Sequence, residues 1–218
     1  AFPDSLFVED PAFVIPEGAM LLRPGAPRRA GEAVELEPAL TARFGSVARL
    51  DRGHADGGDV LILPDEILIG LSARTDRPGA EALARWLESR GRRARIIATP
   101  PGALHLKTAC ALLDEQTVIA TPALVAAGLF GGLEVVQTSD GEEAAANLLR
   151  VNDVVLVGAA FPRTIERVVN RGHVVHPLGV QQIGLIDAGL SCMSLRWSFS
   201  GSGSSDRAGS RDNRPLSS

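Results

Sequence analysis

Three carboxylates crowd the first ten residues of the sequence. Asp4, Glu9 and Asp10 stand in the segment FPDSLFVED, residues 2–10, beside apolar side chains. Carboxylates that become buried need a cationic partner. A planar guanidinium is well suited, because two of its N–H donors can bind the two oxygens of one carboxylate. The residues alone leave two interpretations open: a solvated acidic turn, or a site for an arginine-like ligand.

A cysteine near the other end of the chain could act as a nucleophile. Cys192 lies in GLSCMSLRW, residues 189–197, whose alternation resembles a last core strand. A free thiol with a pKa of about 8.5 is mostly protonated at neutral pH, so a nucleophilic cysteine needs a neighbouring base or cation. His105, between two leucines, is the natural candidate, although a lone histidine or cysteine in such a place is more commonly a buried core residue. The other cysteine, Cys110, is explained by packing in an apolar strand.

The segment DRGHADGGD, residues 51–59, could supply a partner for this histidine. A Gly–Gly pair before a strand can aim a side chain from a tight turn. Asp56 could then orient the imidazole or hold a substrate cation. The signal is weak by itself, because a polar turn that leads into a strand has the same composition.

The elements that must position these residues follow a repeating order of hairpin, helix and strand. Hairpin turns are predicted near residues 17, 65, 114 and 152, which are 48, 49 and 38 residues apart. Apolar spacing predicts helices over 32–44, 79–90 and 164–170 and strands over 95–98, 133–137 and 174–177. Such a period indicates a repeat array packed around a shared axis, whose fifth unit contains Cys192 and whose strand ends converge on one central pocket. The alternative is a Rossmann sheet, but the sequence has no G-x-G-x-x-G motif after a predicted strand.

Size and composition favour one globular domain. Of the 218 residues, 45% are hydrophobic and 22% charged, which is typical of one globular domain or at most two small ones. With the repeat pattern, we predict a single α/β domain over 1–198, and the Ser/Gly/Arg-rich composition of 199–218 predicts a disordered tail. The net charge of −4 argues against nucleic acid as the main partner. Two cysteines without metal-type spacing indicate a reducing, cytoplasmic setting, and no apolar run reaches the ~20 residues of a membrane span.

Seven motifs, taken together, resemble the dimethylarginine dimethylaminohydrolases of the guanidino-group-modifying superfamily. They are FPDSLFVED, LLRPGAPRR, DGGDVL, IGLSARTD, LHLKTA, AANLLRVN and GLSCMSLRW, in order and in register over residues 2–197. The resemblance implies the pentein fold, a five-bladed pseudo-symmetric α/β propeller, which agrees with the repeat count.

The same resemblance implies a role for each matching residue. Catalysis falls to the nucleophile Cys192, the general acid and base His105, and the acid Asp56. Substrate binding falls to three acids for the guanidinium, two arginines for the amino-acid carboxylate and one backbone carbonyl for the amine: Asp4, Glu9 and Asp10; Arg29 and Arg74; and Ile186. The adjacent Arg28 leaves open which guanidinium takes the carboxylate, and we favour Arg29.

The implied reaction is hydrolysis of Nω-methylated arginine, dimethylarginine or monomethylarginine, to citrulline and a methylamine through a covalent S-alkylthiouronium intermediate. The resemblance implies a small guanidino compound as partner, no cofactor and no metal, and it is compatible with a homodimer. Two alternatives remain. One is a deiminase of arginine or of another guanidino compound, which needs the same residues, and the other is a noncatalytic homologue that has lost its lid.

One departure from the family concerns the first blade. In the family, a segment that supplies a strand, a helix and a mobile lid precedes FPDS, whereas this sequence begins at AFPDS. We therefore expect an N-terminally truncated first blade, with exposed edge strands and a wet pocket. The expected consequence is poor folding or slow turnover compared with a chain extended upstream.

Overall fold

The computed structural model describes residues 2–186 and 188–198. Within that part of the chain, the strands form four sheets of three strands each. The strands are β1 (Ala12–Ile15), β2 (Gly18–Leu21), β3 (Val47–Arg49), β4 (Val60–Ile62), β5 (Ile67–Leu71), β6 (Ala94–Ala98), β7 (Cys110–Leu112), β8 (Thr117–Ala120), β9 (Glu134–Gln137), β10 (Leu149–Val151), β11 (Val154–Gly158) and β12 (Val174–Leu178).

Every sheet has the same topology. Its middle strand is antiparallel to the strand before it and parallel to the strand after it. In the first sheet, for example, Met20 lies opposite Phe13 on one side and Ala48 on the other. All four predicted hairpin turns are confirmed. At the last of them, Asn152 has a φ of 54°, a left-handed conformation that asparagine adopts more readily than most residues.

A helix joins the second and third strands of each sheet, because parallel strands need a crossover connection. These helices are α1 (Glu32–Phe44), α2 (Arg77–Glu88), α3 (Pro122–Ala126) and α4 (Pro162–Val169), and a short α5 (Gln181–Gly184) follows the last sheet. The helix predicted over 32–44 is confirmed at both ends, whereas α2 and α4 begin two residues earlier than predicted. At the start of α2, the Asp76 side chain accepts a hydrogen bond from the N–H of Gly79, and a proline stands in the first turn.

Apolar side chains pack between neighbouring sheets. Each successive pair of units shares a core, which contains, among others, Met20 with Leu83, Leu68 with Val118, and Ile119 with Val155. A fourth cluster packs the first sheet against α1, and Leu195 and Trp197 from the C-terminal segment join it. The C-terminal end of the described chain therefore returns to the first sheet.

The segment around Cys192 is a turn and not the strand that its alternation predicts. Ser191–Met193 form a 3-10 turn, and residues 194–198 belong to none of the described sheets. The alternation arises because Leu195 and Trp197 both pack on the first unit, where the Trp197 and Phe44 ring centroids lie 5.3 Å apart. The cysteine therefore lies in a short turn, and the residues that follow this turn pack on the first unit.

The first sheet contains three strands, as the other described sheets do. The fifth unit, the truncated first blade and the single domain over 1–198 stay predictions. The tail predicted over 199–218 lies outside the described residues. In the part of the chain that the structure describes, no helix has both the length and the apolar character of a membrane span.

Candidate active site

Asp56 and His105 form a buried pair. Asp56 directly precedes the 3-10 turn Gly57–Asp59. Its Oδ1 accepts a hydrogen bond from the N–H of Gly25 at 2.8 Å, and its Oδ2 lies 3.0 Å from Nε2 of His105. Asp56 is 1% exposed and His105 is 7% exposed. This contact orients the imidazole, and the catalytic roles of Asp56 and His105 stay predictions.

Acidic neighbours favour the protonated form of His105. Burial alone would lower the pKa of this imidazole, but the hydrogen bond to Asp56 and the charges of Asp10, Asp59 and Asp56 raise it overall. An imidazole with a raised pKa keeps a larger protonated fraction at neutral pH. The pair is therefore suited to general acid and base work.

Two glycines allow the N-terminal acidic segment to approach this pair. A Cβ at Gly57 would lie 1.9 Å from the carbonyl oxygen of Glu9, and a Cβ at Gly58 would lie 2.8 Å from the His105 ring. The N–H of Gly57 donates to the carbonyl of Asp10, and the N–H of Gly58 donates to Oδ1 of Asp10, each at 3.1 Å. Because a side chain fits at neither glycine without displacement, the turn anchors the acidic segment against the histidine.

Asp10 is held on its other side by Arg29. The Arg29 guanidinium pairs with Oδ2 of Asp10 at 2.5 Å and with Oε2 of Glu32 at 2.7 Å, and it donates to the carbonyl of Phe7 at 2.9 Å. Burial alone would lower the pKa of Arg29, but the two carboxylates raise it, so the group stays charged. Arg29 thus bridges two acids inside the protein. Its predicted contact with a substrate carboxylate stays a prediction.

Both carboxylate oxygens of Glu9 are engaged within the protein. Oε1 lies 2.6 Å from Nζ of Lys107, and Oε2 accepts a hydrogen bond from the Ser191 hydroxyl at 3.0 Å. The N–H of Glu9 donates to the carbonyl of Cys192 at 3.1 Å. A second cation, Arg196, approaches Oε1 at 3.8 Å. Glu9 therefore joins the acidic segment directly to the turn that carries the cysteine.

A side-chain amide and a glycine shape the turn around Cys192. Nδ2 of Asn147 lies 3.8 Å from the Cys192 sulfur, and the N–H of Gly189 lies 3.5 Å from it. Oδ1 of Asn147 accepts a hydrogen bond from the N–H of Ser191 at 3.4 Å. A Cβ at Gly189 would lie 2.1 Å from the Asn147 amide, so a side chain there would displace the Asn147 side chain. The sulfur thus faces two N–H donors, which favour a thiolate.

The surroundings of Cys192 as a whole still favour the thiol. Burial raises the pKa of Cys192 and the charges of Glu9 and Asp10 raise it further, whereas the donors from Gly189 and Asn147 act in the opposite direction. A cation placed beside the two acids would offset their effect and lower the pKa. The reactivity of this cysteine therefore depends on which cations lie near Glu9 and Asp10.

A second acid of the DGGD segment, Asp59, is buried next to the Asp56–His105 pair. Asp59 is 0% exposed, and its Oδ2 accepts hydrogen bonds from the hydroxyls of Ser72 and Thr75 at 2.6 and 2.7 Å. Its Oδ1 accepts a hydrogen bond from the N–H of Leu106 at 2.9 Å. Burial raises the pKa of Asp59 despite these donors. Asp59 therefore ties the loop before α2 to the turn that follows the histidine.

Three predicted residues lie outside this hydrogen-bonded group. Asp4 pairs with Arg28 at 2.8 Å, and the Arg28 side chain is 73% exposed. Arg74 is half-buried, and its guanidinium forms no hydrogen bond or ion pair with a described residue, while its backbone packs against Gly25. Ile186 is 52% exposed in the turn after α5. The roles of Asp4, Arg74 and Ile186 stay predictions.

Asp10, Asp56 and His105 are close enough to bind one cation, since one potential ligand atom from each lies within 4.8 Å of the others. Two of these groups already accept N–H donors, Asp10 from Arg29 and Asp56 from Gly25. Because both carboxylates already accept hydrogen bonds from N–H groups, their arrangement favours the N–H groups of a cationic ligand. We assign no metal to this site.

Sequence reasoning missed three residues of this site: Asp59, Lys107 and Asn147. Each stands in one of the seven motifs, and Lys107 is also the only lysine among 22 basic residues, a signal that composition alone could have provided. Cys110 has the packing role predicted for it, because it is 0% exposed and burial raises its pKa to about 12.

Comparison with known sequences identifies relatives along most of the chain. The profile of the arginine deiminase family matches residues 2–189. The N(G),N(G)-dimethylarginine dimethylaminohydrolase of Pseudomonas aeruginosa is 35% identical over 198 residues, which are 90% of this chain and 78% of the relative. The enzyme of the same name from Streptomyces coelicolor is 33% identical over 198 residues, 89% of this chain and 74% of the relative.

Comparison of structures gives the same result. A solved structure of the Pseudomonas aeruginosa enzyme, a cysteine-to-serine mutant complexed with citrulline, superposes with a TM-score of 0.86 at 34% identity. The match covers 89% of this chain and 77% of that chain. It confirms the predicted α/β fold class, and with the sequence matches it confirms the resemblance seen in the seven motifs. The chain therefore belongs to the arginine deiminase family, and within it to the dimethylarginine dimethylaminohydrolases.

Proposed function

We propose that this protein is a cysteine hydrolase that converts Nω-methylated arginine, dimethylarginine or monomethylarginine, to citrulline and a methylamine. One observation carries the proposal: the acidic segment bonds directly to the cysteine turn, through Glu9 N–H and the carbonyl of Cys192, beside the Asp56–His105 pair. The names of the two bacterial relatives and the citrulline-bound structure support this substrate class.

The guanidinium of the substrate would bind the acids of the N-terminal segment. Asp4 already holds one guanidinium, that of the exposed Arg28, and could exchange this partner for the substrate. Asp10 lies farther along the same segment, with Oδ1 3.9 Å from Nε2 of His105. A guanidinium bound between these acids would therefore lie within reach of the imidazole.

The amino-acid end of the substrate would bind elsewhere. Arg74 offers a half-buried guanidinium without a described partner, which suits the substrate carboxylate. Arg29 is the second arginine assigned to this carboxylate, although two internal acids already bind it. The backbone carbonyl of Ile186 would accept a hydrogen bond from the substrate amine.

The first half of the reaction forms a covalent intermediate. A cationic substrate offsets the charges of Glu9 and Asp10 and thereby lowers the pKa of Cys192. The thiolate attacks the guanidinium carbon and forms a C–S bond. His105 donates its proton to the methylated nitrogen as the C–N bond breaks, and the methylamine leaves. An S-alkylthiouronium group remains on the cysteine.

The second half releases citrulline. His105, now neutral and oriented by Asp56, accepts a proton from a water molecule whose oxygen attacks the thiouronium carbon. The C–S bond then breaks, the electron pair returns to the sulfur of Cys192, and the remaining hydroxyl proton passes to water as the carbonyl of citrulline forms. Every proton in this scheme moves between substrate, water and side chains of the site, so we propose no cofactor.

A second candidate is a deiminase that acts on arginine or another guanidino compound. The description of the matching family profile favours it, since arginine deiminase is the name of that family. The same nucleophile, imidazole and acids serve both reactions, and only the leaving amine differs. A noncatalytic homologue is the third candidate, but such a protein has no need for a buried carboxylate–imidazole pair.

The test is citrulline release by the purified protein from dimethylarginine, monomethylarginine and arginine. We expect a methylated substrate to give the highest kcat/KM, and Cys192→Ser to reduce release by about 10³-fold or more. Cys110→Ser is the matched control, because that thiol is buried in an apolar core with Leu68 and Val118 and has no part in the proposed mechanism. Its release per folded molecule should stay near that of the unchanged protein. An unchanged rate in Cys192→Ser would refute the mechanism. Preference for arginine would favour the deiminase. Absence of citrulline release from all three compounds would favour the noncatalytic homologue.

We propose further that the four sheets and the Cys192 segment make five units of one catalytic domain over 1–198. The shared cores between successive units and the return of Leu195 and Trp197 to the first sheet support this arrangement. The proposal includes a cytoplasmic protein that acts on a small molecule, as a monomer or homodimer, without a nucleic acid or membrane partner.

A further inference from the structure

Lys107 is the only lysine of the sequence, and it lies at the proposed active site. The other 21 of the 22 basic residues are arginines. A lysine differs from an arginine because it presents a compact ammonium charge and not a planar fork of donors. The Lys107 side chain is 13% exposed, and its Nζ lies 2.6 Å from a single carboxylate oxygen, Oε1 of Glu9.

Glu9 links Lys107 to the cysteine turn. Its second carboxylate oxygen accepts a hydrogen bond from the Ser191 hydroxyl, and its N–H donates a hydrogen bond to the carbonyl of Cys192. Glu9 is 3% exposed, and a carboxylate so deeply buried is costly unless it is paired. The position of Glu9, and with it the position of the turn, therefore depends on the cation supplied by Lys107.

The charges near the sulfur make the same contact important for reactivity. Glu9 and Asp10 place two negative charges close to Cys192, and the Asp10 charge is balanced by its own ion pair with Arg29. The charged groups that face the sulfur or its acidic neighbours from all surrounding elements are Glu9, Asp10, Arg29, Asp56, His105, Lys107 and Arg196. Among the cations, the ammonium of Lys107 makes the shortest contact with Glu9.

We propose that Lys107 is a positioning residue of the reaction: through Glu9 it holds the Cys192 turn in place and balances the negative charge beside the sulfur. The inference rests on the proposed function, because that function makes Cys192 the nucleophile. Without the ammonium, the nearest described cation to Glu9 would be Arg196, at 3.8 Å from Oε1. The uncompensated carboxylate would then favour the thiol over the thiolate.

The experiment follows the rate of iodoacetamide alkylation of Cys192 as a function of pH, with the Cys192 peptide quantified by mass spectrometry. Lys107→Met, which keeps the length of the side chain but removes its charge, should move the inflection to higher pH. Alkylation at neutral pH should then slow by about three- to tenfold. Lys107→Arg restores the charge and should recover most of the rate. Arg171→Met removes a comparable ion pair at 2.6 Å, with Glu134 on the surface, and should leave the profile unchanged.

Glu9→Gln completes a cycle of variants. It should move the inflection to lower pH, and the double variant Lys107→Met/Glu9→Gln should return close to the unchanged protein, because it removes opposite charges together. A Lys107→Met profile that superimposes on that of the unchanged protein would overturn the proposal. So would a loss of citrulline release that is equal at every pH without a shift of the inflection, since it would indicate a structural defect only. Alkylation needs no substrate, so its outcome is separate from that of the citrulline assay.

Discussion

At the scale of single residues, three carboxylates raise the pKa of His105, and Asp56 is the one that is hydrogen-bonded to the imidazole. Asp56→Asn keeps the shape of the side chain and an acceptor for the N–H of Gly25, but it removes the negative charge. The pKa of His105 should fall, because the hydrogen bond and charge of Asp56 are among the causes that raise it. Citrulline release should fall by about 10²-fold or more. The pKa is measured by NMR titration of the His105 ring.

The same substitution has a defined effect on stability. A histidine whose pKa is raised by folding stabilises the native state fully below its ordinary pKa of about 6.5, and this contribution is lost as the pH rises through the folded value. Asp56→Asn should therefore lose more stability in urea at mildly acidic pH than at alkaline pH. Asp114→Asn, which changes the partner of His173, is the control and should leave the titration of His105 unchanged. An unaltered titration of His105 in Asp56→Asn would contradict the assigned pair.

The motifs could predict which residue types meet, but not how each one is used. Cys192, His105 and Asp56 follow from the resemblance, and the Asp56–His105 contact was predicted as an alternative. The engagement of Glu9 on both oxygens could not be predicted, because Lys107 and Ser191 are 98 and 182 residues away along the chain. Only the fold brings these partners together.

At the scale of elements, the turn Gly57–Asp59 controls how closely the acidic segment approaches the histidine. Gly57→Ala would place a Cβ 1.9 Å from the carbonyl oxygen of Glu9, so the backbone must move. We expect kcat/KM to fall by about 10²-fold, since shifts of about 1 Å in a catalytic group have that effect, and stability to fall by about 1–3 kcal/mol. Citrulline assays and urea denaturation provide the measurements.

Gly131→Ala is the matched control, because a Cβ there would meet no atom within 4 Å. It should leave kcat/KM unchanged, and it should change stability by no more than about 0.5 kcal/mol. Equal activity of the two alanine variants would show that the acidic segment does not need the close approach.

Elements with local signals were predictable from sequence. The four hairpins follow from turn residues between short apolar runs, and α1 follows from its apolar spacing. The starts of α2 and α4 were placed late because prolines in their first turns were not used as start signals. The Cys192 turn was predicted as a strand because the alternation of Leu195 and Trp197 arises from packing on another unit and not from pairing in a sheet.

At the scale of the whole molecule, Leu195 and Trp197 pack the C-terminal segment on the first unit. Trp197 packs edge-on against Phe44, and the Arg43 guanidinium lies 5.3 Å from the Trp197 ring centroid. Trp197→Leu should loosen the segment and thereby the Cys192 turn, while the sheets stay folded. In a urea series, activity should then be lost about 0.5 M or more before the circular dichroism of the sheets. Coincident losses in this variant would show that the segment and the sheets unfold as one unit.

The hydrogen bond from Ser191 to Glu9 spans 182 residues, and this has a consequence for folding kinetics. Each hairpin and crossover closes a much shorter loop, and short loops form at lower entropic cost. During refolding from denaturant, the sheets should therefore recover before the two distant segments meet. The environment of Cys192 forms only when these two segments pack together. The alkylation rate of Cys192 and citrulline release should therefore recover in a later kinetic phase than secondary structure. A chain arrested before this step would contain all of its described sheets and still be inactive.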